Sequence, residues 1–134
     1  MLRISQTLVD GMVAHARADH PDEACGVIAG PEGSDTPVRL IPMINADRSP
    51  TFFRFDPSEQ LAVAKQMWDD DEEIVVVYHS HTATEAYPSR TDVRWSVNTP
   101  GTSWLLVSTR SDEDEVRSYR IDDGVITEEE VRVT

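Results

Sequence analysis

The sequence predicts an α/β fold over residues 1–134, a single domain built on a mixed β-sheet flanked by helices. Three observations predict it: capped stretches with helical apolar spacing, short runs rich in β-branched residues, and the interleaving of the two along the chain. With 134 residues the chain has the usual size of one domain and enough length to bury a core without disulfides.

Ser5 reads as an N-cap, and Leu8, Val9, Met12, Val13 and Ala16 recur behind it with helical period. Asp19-His20-Pro21 ends that helix, because proline lacks an amide hydrogen and crowds the turn before it. Ala24-Cys25-Gly26-Val27-Ile28-Ala29-Gly30 is small and apolar and stops at Pro31, as suits a buried strand. Residues 31–36 read as a turn, residues 38–44 as a strand interrupted by Pro42, and residues 45–50 as a loop leading to a short strand over residues 52–55. Asp56-Pro57-Ser58-Glu59 opens a second helix: Asp56 caps, Pro57 takes the first helical position and Glu59 completes a capping box. Leu61, Ala64, Met67 and Trp68 follow on one face. An acidic run over residues 69–73 precedes residues 74–78, the most β-branched stretch. Pro88-Ser89 opens a short helix carrying Val93 and Val97, and residues 104–107 form another buried strand. Residues 116–121 and 125–133 alternate and are joined by Asp122-Asp123-Gly124, a hairpin turn.

Twenty-five acidic against twelve basic residues give a net charge of −13. That argues against non-specific nucleic-acid or anionic-membrane binding, which needs clustered Lys and Arg. Solubility is the first use of such a surplus; a saline cytoplasm or a basic partner patch is the alternative. The longest apolar run, residues 74–78, is far shorter than the ~20 residues of a membrane span. The start, Met1-Leu2-Arg3-Ile4-Ser5-Gln6, lacks the pattern of a secretion signal, and the one cysteine, Cys25, can form no internal disulfide. A reduced, cytoplasmic protein is the expectation.

His79-Ser80-His81 follows the β-branched run. In an extended chain, residues two apart project to one face, so both imidazoles can meet one ion. Asp92 comes eleven residues after His81, on the first turn of the helix that Ser89 opens. Two His and one carboxylate leave a fourth tetrahedral position for water, the arrangement of a catalytic zinc. Ser89-Arg90-Thr91-Asp92 is equally a plain capping box.

His79-x-His81, seven residues, Ser89, two residues, Asp92 resembles the motif of the JAMM (MPN+) zinc metalloproteases. In Pro21-Asp22-Glu23-Ala24-Cys25-Gly26, Glu23 stands where that family has its upstream glutamate. The resemblance implies a cytidine-deaminase-like fold and one Zn2+ per chain, bound by His79, His81 and Asp92. It implies Glu23 as general base and Ser89 as hydrogen-bond donor to the developing oxyanion. Zinc would bring the pKa of its water toward ~7. Glu23 would carry a proton to the leaving amine, and the Ser89 hydroxyl would contribute ~3 kcal/mol to the transition state. The Glu-Ala-Cys-Gly stretch is most similar to short prokaryotic Mec-like members, which hydrolyse the amide after the C-terminal glycine of a ubiquitin-like sulfur carrier, for example to release cysteine. A carrier protein is thus the implied partner, and a homodimer is one of the states the resemblance allows.

A deaminase would need His-x-Glu and Pro-Cys-x-x-Cys, which a chain with one cysteine lacks. A non-catalytic MPN scaffold and a zinc amidohydrolase for small molecules are the remaining alternatives. Cys25 reads as a small buried thiol, His15 and His20 as surface residues, Trp95 as packing, and residues 82–87 as a loop over the site.

Overall fold

A six-stranded mixed sheet separates two hydrophobic cores in the computed structural model, which describes residues 1–134. In chain order the elements are β1 (Leu2–Ile4), α1 (Gln6–Asp19), β2 (Cys25–Pro31), β3 (Arg39–Met43), α2 (Pro57–Asp69), β4 (Glu72–His81), α3 (Arg90–Ser96), β5 (Ser103–Ser108), β6 (Glu115–Asp122), β7 (Val125–Glu129) and β8 (Val131–Val133). The large sheet runs β3-β2-β4-β5-β6-β7, and β1 pairs with β8 in a separate two-stranded sheet. Within the large sheet β4 and β5 are parallel, with α3 in their connection, and the other neighbours are antiparallel.

The period-two alternation of the strands assigns each residue to a core. Ile28, Val76, Tyr78, Leu105 and Val107 face Leu8, Val9, Met12 and Ala16 of α1. Val27, Val77, Trp104, Leu106 and Tyr119 face the other way, where Phe53 and Met67 cover them. Burying each such Val or Leu contributes about 1.5–3 kcal/mol. Ser5 Oγ accepts the Leu8 amide at 3.2 Å, the predicted cap of α1. Gly26 leaves room for the Tyr78 ring, which a Cβ at that position would overlap.

Four expectations are corrected. Pro42 lies within β3 rather than interrupting it, because β3 is the sheet edge, where one side of the backbone needs no ladder donor. Residues 52–55 form no strand; a lone bridge joins Asn45 to Phe55. Asp56 caps α2, but Glu59 turns its carboxylate to the Ile44 amide at 2.7 Å, so no box closes. Of the four residues expected to share one face of α2 only Met67 is buried, while Leu61 and Trp68 are 73% and 83% exposed. Spacing identifies residues that share a face, not whether anything covers it.

The run over residues 125–133 splits at Glu130. β7 continues the hairpin with β6, and β8 crosses to pair in parallel with β1, whose three residues are too short to show a period. No helix is long and apolar enough to cross a membrane.

Candidate metal centre

His79 and His81 are the first and third of the last three residues of β4, so both project to the α2/α3 side. Ser80 projects to the other side, where its Oγ accepts the Ala24 amide at 2.8 Å. The chain then loops over residues 82–89 and starts α3 beside the C-terminal end of β4. Ser89 Oγ accepts the Asp92 amide at 3.1 Å, and Asp92 Oδ2 accepts the Ser89 amide at 2.8 Å. The capping box is therefore real.

It is also what aims Asp92. The same Oδ2 lies 3.0 Å from His79 Nε2 and 3.4 Å from His81 Nε2, and the two Nε2 atoms are 3.2 Å apart. One carboxylate oxygen both closes the cap and faces the two imidazoles, so the cap does not exclude a ligand role. Glu23, in the loop before β2, completes the group: it, His79 and His81 each offer one ligand atom within 4.8 Å of the others. All four side chains are buried.

The surroundings set the rings. His81 Nδ1 lies 2.9 Å from the Glu85 carbonyl, a contact made by an N–H, which turns Nε2 toward the cluster. The loop carrying Glu85 is held by Ser108 Oγ on the Thr84 carbonyl, the Ala86 amide on Glu115 and Tyr119 Oη on the Ala86 carbonyl. His79 is stacked by Phe53, ring centroids 4.6 Å apart, and met edge-on by Trp104. Its Nδ1 is buried without any hydrogen-bond partner. The ring's polar contacts are therefore all made through Nε2, on the side of the cluster. Three electron-pair donors this close in a dry interior are satisfied together by a cation. Imidazole and carboxylate donors suit a divalent metal such as zinc, so the residues present fit one.

Charge follows the same geometry. Burial alone would raise the Asp92 pKa, but the His79 charge and hydrogen bonds from His79, His81 and the Ser89 amide hold it well below the usual carboxylate range. Burial pushes Glu23 up to about 8, against the opposing pull of His81. For His81, burial works against protonation, and the hydrogen bonds to Asp92 and the Glu85 carbonyl outweigh it, raising its pKa. Burial also pushes the Cys25 thiol up to about 12, which leaves no thiolate for nucleophilic work.

All five residues expected at the site meet at this end of the sheet, Ser89 through the cap it forms on Asp92. Three participants are ones the sequence reading missed. Phe53 lies in the segment read as a strand, and the Glu85 ligand-orienting group is a backbone carbonyl with no residue signature. Asn45 donates to the carbonyls of Glu23 and Phe52 and accepts the amides of Asp47 and Arg54, tying the loop to Glu23. His20 is exposed as expected, but His15 is half-buried, with Nδ1 2.7 Å from Tyr78 Oη and Nε2 3.2 Å from Asp19. Trp95 is 42% exposed and walls an apolar cavity of about 300 Å³ with Phe53, Val77 and Trp104, rather than being packed away. Val97, expected within the third helix, is its C-cap and 72% exposed; Asp92 and Ser96 are the residues that α3 buries.

Residues 5–122 match the family model of the prokaryotic homologs of the JAB domain. The chain is 63% identical to the CysO-cysteine peptidase of Mycobacterium tuberculosis, over 99% of this chain and 91% of that protein. It is 32% identical to a desampylase of Haloferax volcanii, over 74% of each chain. Among solved structures, a protein of Desulfitobacterium hafniense superposes with a TM-score of 0.86 at 34% identity, covering 100% of this chain and 93% of that one. A JAB1/MPN domain protein of Archaeoglobus fulgidus shares the fold at a TM-score of 0.68 and 22% identity, over 98% of each chain. With a buried His-His-carboxylate cluster at the end of β4 and these relatives over nearly its whole length, the chain belongs to the prokaryotic JAB-domain family.

Proposed function

We propose that residues 1–134 form one JAMM-type peptidase domain that uses zinc to hydrolyse the amide after the C-terminal glycine of a ubiquitin-like sulfur carrier, releasing an amino acid such as cysteine. The observation that carries the reading is the convergence of His79 Nε2, His81 Nε2 and Asp92 Oδ2 within 3.0–3.4 Å, with the Glu23 carboxylate beside them. His79, His81 and Asp92 would hold the metal. When bound, zinc supplies a Lewis acid that polarises a carbonyl and acidifies water. The likeness to a CysO-cysteine peptidase and to a desampylase supports a ubiquitin-like substrate.

The chain's own residues supply the proton path. Glu23 takes one proton from the attacking water and gives it to the amide nitrogen as the C–N bond breaks; the acyl carbon keeps the hydroxyl. A buried carboxylate beside the imidazoles, with no cationic side chain paired to it, is placed to take and return that proton. Ser89 Oγ uses a lone pair in the cap, and its O–H remains to donate to the oxygen on which charge develops.

Metal mass spectrometry of wild type and Asp92→Ala tests the site. We expect one zinc per chain in wild type, clear loss in the variant, and cleavage of a carrier–cysteine conjugate by wild type alone. Unchelated wild type without zinc would end the metal assignment.

A further inference from the structure

Glu23 opens not only on the histidines but on a second, polar cavity of about 530 Å³ between the C-terminal end of α1, the end of β3 and the start of α2. Asp19, Asp22, Glu23 and Glu59 line it, together with His15 and a single permanent cation, Arg48. Arg48 forms no ion pair with any of these carboxylates. Arg48 is exposed and carries no salt bridge, and the other charged residues lining this cavity are mostly acids.

Its position relative to Glu23 is built, not incidental. The Glu23 amide donates to the Ser49 carbonyl at 2.8 Å, and the Glu23 carbonyl accepts Asn45 Nδ2 at 3.0 Å, so the loop that carries Arg48 holds the backbone of Glu23 from both sides. The Arg48 amide closes the turn on the Asn45 carbonyl at 3.1 Å, and its φ of 44° lies in the left-handed region that arginine seldom adopts. A flexible surface cation would relax out of that conformation; here the loop, fixed through the buried Asn45, holds it.

We propose that Arg48 binds the free α-carboxylate of the amino acid leaving group. The inference rests on the proposed peptidase reading and sharpens it. Guanidinium is the natural bidentate partner of a carboxylate, and Arg48 is the one permanent cation lining the cavity that Glu23 also lines. An amide to a released α-amino acid has a carboxylate one carbon from its nitrogen, next to the atom Glu23 protonates. An isopeptide to a lysine side chain has none there. Arg48 therefore selects a single terminal amino acid over a lysine-linked protein.

The test uses the zinc-loaded enzyme and a ubiquitin-like carrier ending in Gly-Gly and extended by one cysteine, prepared as the free acid and as the C-terminal carboxamide. Wild type should prefer the acid by about 10- to 100-fold in kcat/KM, the worth of one charge-assisted bond, and Arg48→Ala should cleave both alike at the slower rate. Equal cleavage of the two by wild type, a preference that survives in Arg48→Ala, or one lost in Arg90→Ala instead would overturn the assignment. Binding supplies a readout independent of turnover. L-cysteine should shift the Arg48 side-chain Nε–H resonance, and cysteamine, which lacks the carboxylate, should not. Cleavage of the carrier without that shift removes the role of Arg48 alone; the shift without cleavage leaves the carboxylate site standing and removes the peptidase reading.

Discussion

Glu23 is held at 4% exposure with its backbone gripped on both sides, and burial raises its pKa to about 8 from an ordinary 4.5. Two consequences follow at the residue scale. Glu23→Gln should lower turnover by about 10²–10⁴-fold, the usual worth of a general base, with zinc per chain unchanged by metal analysis. In metal-free protein the folded state keeps a proton that the unfolded chain releases, so this group lowers stability as pH rises from about 4.5 to about 8. Denaturant melts at pH 5 and pH 8 should show metal-free Glu23→Gln losing less stability across that interval than metal-free wild type. Ser89→Ala separates its two roles: loss of the cap costs about 1 kcal/mol in melting, whereas loss of the oxyanion donor slows turnover by about 10²–10³-fold. A variant that melts earlier but turns over normally would leave only the cap. His79, His81, Ser89 and Asp92 were legible in the sequence because their geometry is local, a shared strand face and a shared helical turn, whereas Glu23 was legible only through the family resemblance. Asn45 and Phe53 were not, because what they do depends on partners brought in from other parts of the chain.

At the scale of elements, the C-terminal hairpin is pinned through one carboxylate. Glu129 Oε1 accepts Ser103 Oγ and Ser118 Oγ at 2.6 and 2.8 Å, and Oε2 meets Arg120 at 3.2 Å, linking β7 to β5 and β6. Burial alone would raise its pKa, and these donors bring it below the usual range instead. The folded state therefore favours the charged form: the stabilisation is complete above about pH 4.5 and is lost as pH falls through the depressed folded value. Glu129→Gln should melt about 1–2 kcal/mol earlier than wild type at pH 7, a gap that narrows by pH 3. The strand that follows shows where element reading fails. Residues 125–133 read as one strand, yet Glu130 ends one pairing and β8 begins another, because side-chain pattern does not report which neighbour the backbone bonds. The large sheet was legible for the opposite reason: residues 74–78 and 104–107 are apolar on both faces, which only a central strand flanked by helices accommodates.

For the whole molecule, a metal that binds the folded chain alone adds its binding free energy to the stability of the fold. Chelation should therefore lower the melting temperature by about 10 °C, zinc should restore it, and Asp92→Ala should respond to neither. Scanning calorimetry checks this without any substrate.

The small β1–β8 sheet sets how the fold would answer to tension. Its strands run parallel, in register from Leu2 with Val131 to Ile4 with Val133, so Met1 and Thr134 lie at opposite ends of the pair. A force drawn between them loads the pair in shear. The bonds from the Leu2 amide to Glu130, from the Thr134 amide to Ile4 and from the Gln6 amide to Thr134 share that load instead of parting in turn like a zipper. In single-molecule pulling, extension through the ends should meet its first rupture at this clamp, at higher force than extension through a hairpin pair such as β6–β7, and the metal centre should stay intact until it gives.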